Sequence, residues 1–144
     1  MATITGFEDI RAWQTARQLT NAIYDMAEQG PFARDYGLRN QIQRAAVSVM
    51  SNIAEGLVLS EDEGPESRTQ ARFIDYLGHA KGSAGEVRAQ LYVALDRGYI
   101  VQEQFDAAYE LADKAARQVH RFMTYLETKR GTRRIREGRI EYEI

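Results

Sequence analysis

The chain contains no cysteine. That absence removes disulfide frameworks, thiol nucleophiles and cysteine-ligated zinc together. Proline is nearly as scarce, with two in 144 residues, so helices can run long without interruption. No apolar run approaches the ~18 residues that would suggest a membrane span. The opening Met1-Ala-Thr-Ile-Thr-Gly6 has neither the basic nor the apolar region of a secretory signal, and a cytoplasmic protein is expected. Motifs that carry chemistry are missing as well. There is no glycine-rich phosphate loop, dinucleotide fingerprint or Gly-x-Ser-x-Gly elbow. A di-iron carboxylate site in a helical bundle needs inward Glu-x-x-His pairs, but Tyr76 and Arg117 stand three residues before the two histidines. A non-enzymatic protein without cofactor or metal is expected.

What remains is an ordinary soluble, helix-permitting composition, 44% hydrophobic and 28% charged. Its length suits one domain, which would bury about 68–70% of the surface its unfolded form exposes. The net charge of -2 argues against a uniformly basic nucleic-acid binder, though an average can hide a local patch. Arginine greatly outnumbers lysine. Its fork suits carboxylate and phosphate, and it is also simply a good helix former.

One stretch organises the chain, from Gln41 to Gly56. At 100° per residue, Leu38, Ile42, Ala45, Ala46, Val49, Ile53 and Leu57 form an apolar stripe, with Val47, Met50, Ala54 and Val58 beside it. Together they cover roughly 220° of the circumference, where a surface helix needs only about 100°. The excess predicts self-association through Val47, Met50, Ala54 and Val58, because such a patch left in water marks an interface. The remaining arc collects Gln41, Arg44, Ser48, Asn52 and Glu55 into a polar ribbon, which we expect to be structural. Arg44 and Glu55 lie about 16 Å apart along the helix, too far to pair, so each would need partners on other helices.

Around this segment the periodicity predicts three more helices. The first runs from Phe7 through Glu28, with Trp13 on its apolar stripe, and ends at Gly30-Pro31. The central one spans about Asp35 to Leu59. Ser60 to Ser67 reads as an acidic loop, with Pro65 suited to the first turn of a new helix. The third helix spans about Glu66 to Arg97, and the fourth about Gln102 to Lys129 after a tight turn at Gly98. Gly78, Gly82 and Gly85 share one side of the third helix. Each costs about 1 kcal/mol relative to alanine, so the close approach of another backbone is expected there. Asp75 and His79, one turn apart, read as a surface contact. The expected fold is all-α, an antiparallel up-down four-helix bundle over residues 1–129, followed by a basic tail over 130–144 with five arginines against three glutamates.

Phe7, Trp13, Ala16, Tyr24, Gly37-Leu38, Gln41, Arg44-Ala-Ala46, Ser48, Asn52-Ile-Ala-Glu-Gly56, Gly82-Ser83 and Glu86 carry a resemblance. It is to the four-helix-bundle proteins encoded in intervening sequences of bacterial large-subunit ribosomal RNA, and extends to the accessory variability determinant of diversity-generating retroelements, over roughly residues 7 to 126. The resemblance implies an up-down bundle that assembles as a ring of five subunits, with nucleic-acid or reverse-transcriptase partners in some relatives. Met50 stands where relatives often have proline, and the loop after Leu59 is more acidic than usual.

The function expected is thus that of a homo-oligomeric scaffold or accessory protein that contacts nucleic acid or a nucleic-acid enzyme. Candidate phosphate-binding residues are Lys114, Arg117 and Arg121 on the fourth helix and Arg130, Arg133, Arg134, Arg136 and Arg139 in the tail. The alternative is a small-molecule or metal-dependent enzyme built on the polar ribbon, which would require a concave pocket with converging polar groups.

Overall fold

Asp9 decides where the first helix can begin. Its carboxylate accepts hydrogen bonds from the backbone N–H and hydroxyl of Thr5, both at 2.9 Å, and from Gly6 N–H. These bonds hold its pKa below the usual carboxylate value, the Thr5 N–H contributing most. A side chain engaged in this way competes with helix propagation. In the computed structural model, which describes residues 4–61 and 66–128 with side chains from 68 onward in the second range, Phe7–Asp9 is a 3-10 turn and Ile10 is extended. Helix α1 therefore covers Arg11–Ala27 rather than starting at Phe7.

After α1 come α2 (Gly30–Arg34), α3 (Tyr36–Ser60), α4 (Glu66–Asp96) and α5 (Gln102–Leu126). The short α2 occupies what the sequence suggests is only a link. Gly30 takes a left-handed φ of 57°, open to glycine without steric penalty, and Pro31 is pre-set for a first helical turn. Phe32 is thereby buried and stacks on Tyr99 at 5.3 Å. Asp35 caps α3 by accepting from Leu38 N–H at 3.1 Å. It also accepts from the Tyr99 hydroxyl at 2.9 Å, and this bond, first among its causes, raises the phenol's pKa. At the end of α4, Gly98 adopts φ 71°. Its N–H donates to Leu95 O, and Tyr99 N–H donates to Ala94 O, the paired bonds of a Schellman stop.

Helices α1, α3, α4 and α5 form an antiparallel up-down four-helix bundle. α3 packs on α4, α4 on α5, and α1 closes the ring by packing on both α3 and α5. The core divides along the bundle axis. One cluster joins the start of α1 to the end of α3, around Ile53, Leu57, Phe73, Leu77 and Phe122. Phe73 and Phe122 meet edge to face there, at 5.4 Å and 90°, a favoured aromatic geometry. The other cluster, around Leu19, Ile23, Phe32, Ile42, Leu91 and Phe105, fills the opposite end. Ala108, Ala112, Ala115 and Ala116 are buried along the middle of α5, letting the bulky side chains of its neighbours interdigitate.

Candidate nucleic-acid interface

The polar ribbon of α3 proves to be two sets of residues. Ser48 and Asn52 turn toward α4 and are half-buried, whereas Gln41, Arg44 and Glu55 are exposed. Asn52 Nδ2 donates to Ser48 O at 2.8 Å and to Ser48 Oγ at 2.9 Å. Ser48 Oγ meets Ser83 Oγ of α4 at 2.8 Å, either hydroxyl serving as donor. Arg44 and Glu55 make no hydrogen bond or ion pair among the described residues, so within one chain they do not find the interhelical partners expected of them. The neighbouring apolar set also divides. Met50 packs on the core and Ala54 is half-buried, while Val47 and Val58 are 38% and 52% exposed.

The glycines correct another expectation. A methyl added at Gly82 would meet nothing within 4 Å, at Gly78 only Met123 Cε at 4.0 Å, and at Gly85 only an Arg88 nitrogen at 3.6 Å. Among the described residues no second backbone comes close to them. The tight approach is instead at Gly56 of α3, where a Cβ would lie 2.8 Å from Phe73 Cδ1 and 3.1 Å from Tyr76 Cβ. The run Asn52-Ile-Ala-Glu-Gly56 thus combines an asparagine bonded to Ser48, whose hydroxyl makes the link to α4, with a core isoleucine and a steric demand for glycine.

Ser48, Asn52, Gly78, His79, Gly82, Ser83 and Glu86 line a groove of about 390 Å³ between α3 and α4. Its two serine hydroxyls bond each other, and among the described residues neither His79 nor Glu86 is hydrogen-bonded to them. Asp75 and His79 are both exposed, and the contact expected between them does not form. Among the described residues no three of His, Cys, Asp or Glu gather as a metal-binding group.

A second groove, of about 530 Å³, runs along the other side of α4 where it meets α5, and its lining is basic: Lys81, Arg88, Arg117, Arg121 and His120, with Asp113 and Ala116. Asp113 serves two arginines, with Arg88 at 3.3 Å and Arg117 also bonded to it. Arg117 reaches Glu110 as well, at 2.9 Å, and this bond is the largest influence raising its already high pKa. Lys81 Nζ lies 3.3 Å from His120 Nδ1 and has no carboxylate partner among the described residues. Among the described residues, Lys81, Arg88, Arg117 and Arg121 line the groove with one carboxylate, Asp113, and a second, Glu110, stands at its edge. An arrangement of this kind draws a polyanion toward it by its field.

A family profile described as 23S rRNA-intervening sequence protein matches residues 8–121. The chain belongs to this family. Its fold is similar to that of a protein of unknown function from the S23 ribosomal protein family of Bacteroides thetaiotaomicron VPI-5482. The TM-score is 0.64 at 18% sequence identity, covering 78% of this chain and 97% of the other. A search of curated proteins returned no match.

Of the phosphate-binding candidates on α5, Arg117 and Arg121 line the basic groove, whereas Lys114 is exposed outside its lining. The tail arginines Arg130, Arg133, Arg134, Arg136 and Arg139 lie outside the described residues, as does the acidic loop at 62–65. Lys81, Arg88 and His120 complete the groove and are not singled out by sequence reasoning. The seven-residue interval between Lys81 and Arg88, two turns along one side of α4, is the signal that could have found them. Among the described residues no helix is long and apolar enough to cross a membrane.

Proposed function

We propose that the protein is a non-enzymatic, homo-oligomeric scaffold that holds nucleic acid by its phosphates along the α4–α5 groove. The observation that carries this reading is that, among the described residues, lysine and arginine side chains from two helices line one groove, with Lys81 lacking a carboxylate partner, in a chain whose overall charge is negative. The names of the family and of the structural relative refer to 23S rRNA and to a ribosomal protein, which makes RNA the first polymer to try. Repetition of the groove around an assembly would multiply a modest contact. Self-association is supported by exposed Val47 and Val58 and by glycines within α4 that meet no other backbone among the described residues. A closed ring would cover both symmetrically, and the resemblance implies five subunits.

Two measurements test the reading. Labelled RNA and DNA are titrated at low and physiological salt against the full chain, a chain ending at Lys129, and the double variant Arg117→Gln, Arg121→Gln. Binding that falls steeply with salt, shows little sequence preference and weakens in the double variant supports it. Absence of binding at low salt, or binding indifferent to those arginines, overturns it. Light scattering at micromolar concentration should give an oligomer, and Val58→Glu should dissociate it without unfolding the chain, since Val58 is outside the core. A monomer throughout would reject the scaffold.

A further inference from the structure

We infer that the strand held by the α4–α5 groove is single-stranded, with an unpaired base stacked on Tyr92 beside the phosphate contacts. The inference rests on the proposed reading of the basic groove and adds what lies at its end. α4 and α5 run antiparallel, so their shared seam can be followed residue by residue. At one end Tyr92 packs 4.9 Å from Phe105 and 6.0 Å from Tyr109, which itself stacks on Phe105 at 5.4 Å. Phe105 is buried, but Tyr92 leaves 50% of its surface in water. One helical turn toward the middle, Arg88 meets Asp113 across the seam at 3.3 Å. Two turns further, Lys81 meets His120. From Tyr92 to Lys81 is about 16 Å along one side of α4, aromatic and then basic.

That order selects among nucleic acids. Phosphates alone would be satisfied by a duplex as well as a strand. A duplex, however, presents backbone and base edges while its ring faces are covered by its own stacking. Only an unpaired base can lay a ring face on a tyrosine, and aromatic platforms beside cationic grooves are how proteins hold single strands without reading sequence. Phe105 and Tyr109 contact the Tyr92 ring at 58° and 76° between ring planes, and such packing reduces what must be ordered when a base arrives.

The test compares a labelled twelve-nucleotide oligouridylate with a twelve-base-pair RNA duplex of mixed sequence, using the full chain at low salt and fluorescence anisotropy. The strand should bind more tightly than the duplex. Tyr92→Leu keeps an apolar side chain over Phe105 but has no ring face, and should weaken strand binding roughly fivefold to a hundredfold, leaving duplex binding unchanged. Tyr92→Phe should retain it, and circular dichroism establishes that both variants fold. Equal binding of strand and duplex, or a Tyr92→Leu variant that binds the strand normally, overturns the inference while the groove reading stands. If neither polymer binds at low salt, both fail.

Discussion

The two sides of α4 are built on different principles. Toward α3 it presents Gly78, Gly82 and Ser83, and the helices are joined by a neutral bond between two serine hydroxyls. Toward α5 it presents Lys81 and Arg88, and the joining contacts are ionic. Both grooves flank one helix, yet the first is small-featured and the second is, among the described residues, lined mainly by cations. A bundle helix can thus carry two surfaces of separate use while the side chains it buries from Phe73 to Ala94 are all apolar.

Several substitutions would break or sharpen this contrast. The largest effect is expected at Phe73, which touches both neighbours of α4 by lying against Gly56 of α3 and Phe122 of α5. Phe73→Ala should cost about 3–5 kcal/mol in urea unfolding, and a loss under 1 kcal/mol would mean that this end of the core is not load-sharing. Next comes Gly56→Ala, whose new methyl has no room against Phe73 and should destabilise by about 1–3 kcal/mol. Gly82→Ala, with open space around it, should act in the opposite direction and stabilise the folded chain by up to about 1 kcal/mol. The same sign for both glycines in parallel melts would show that the two environments are not distinct.

Smaller effects separate the two seams by their response to salt. Ser83→Ala removes the hydroxyl bond to Ser48 and should cost about 1 kcal/mol, the same at 50 mM and 1 M sodium chloride. Asp113→Asn deprives Arg88 and Arg117 of their shared carboxylate and should cost only a few tenths to about 1 kcal/mol at low salt, vanishing at high salt as screening takes over. A salt-independent Asp113→Asn penalty would place that carboxylate in a more buried role than its partly exposed position allows.

The bundle itself was legible because long amphipathic helices advertise their core faces by period alone. Ile42, Val49 and Ile53 on α3, and Phe105, Val119 and Phe122 on α5, are buried where their spacing puts them. Local hydrogen bonding at Asp9 was harder to see, since nothing in the period of α1 signals that Ile10 must be extended. The five-residue α2 is too short to show a period, and Gly30-Pro31 reads equally as a break. The basic groove was only half legible. Arg117 and Arg121 share a stripe on α5, but which side of α4 meets that stripe depends on how two helices are rotated and staggered, and no single helix encodes that. The α4 glycines misled for a related reason: their spacing specifies a bare strip of backbone without saying whether the chain itself covers it.

The bond from Tyr99 to Asp35 joins groups 64 residues apart in the chain. It ties the entry of α3, in the first helical hairpin, to the turn between α4 and α5, in the second. Neither hairpin can form it alone, and closing so long a loop costs entropy that only the docking of the two halves repays. During refolding, the bond would therefore be absent while helix content rises and would appear as the halves lock together. Tyr99→Phe should consequently speed unfolding while leaving the folding rate nearly unchanged, making this clasp a clock for the last step of assembly.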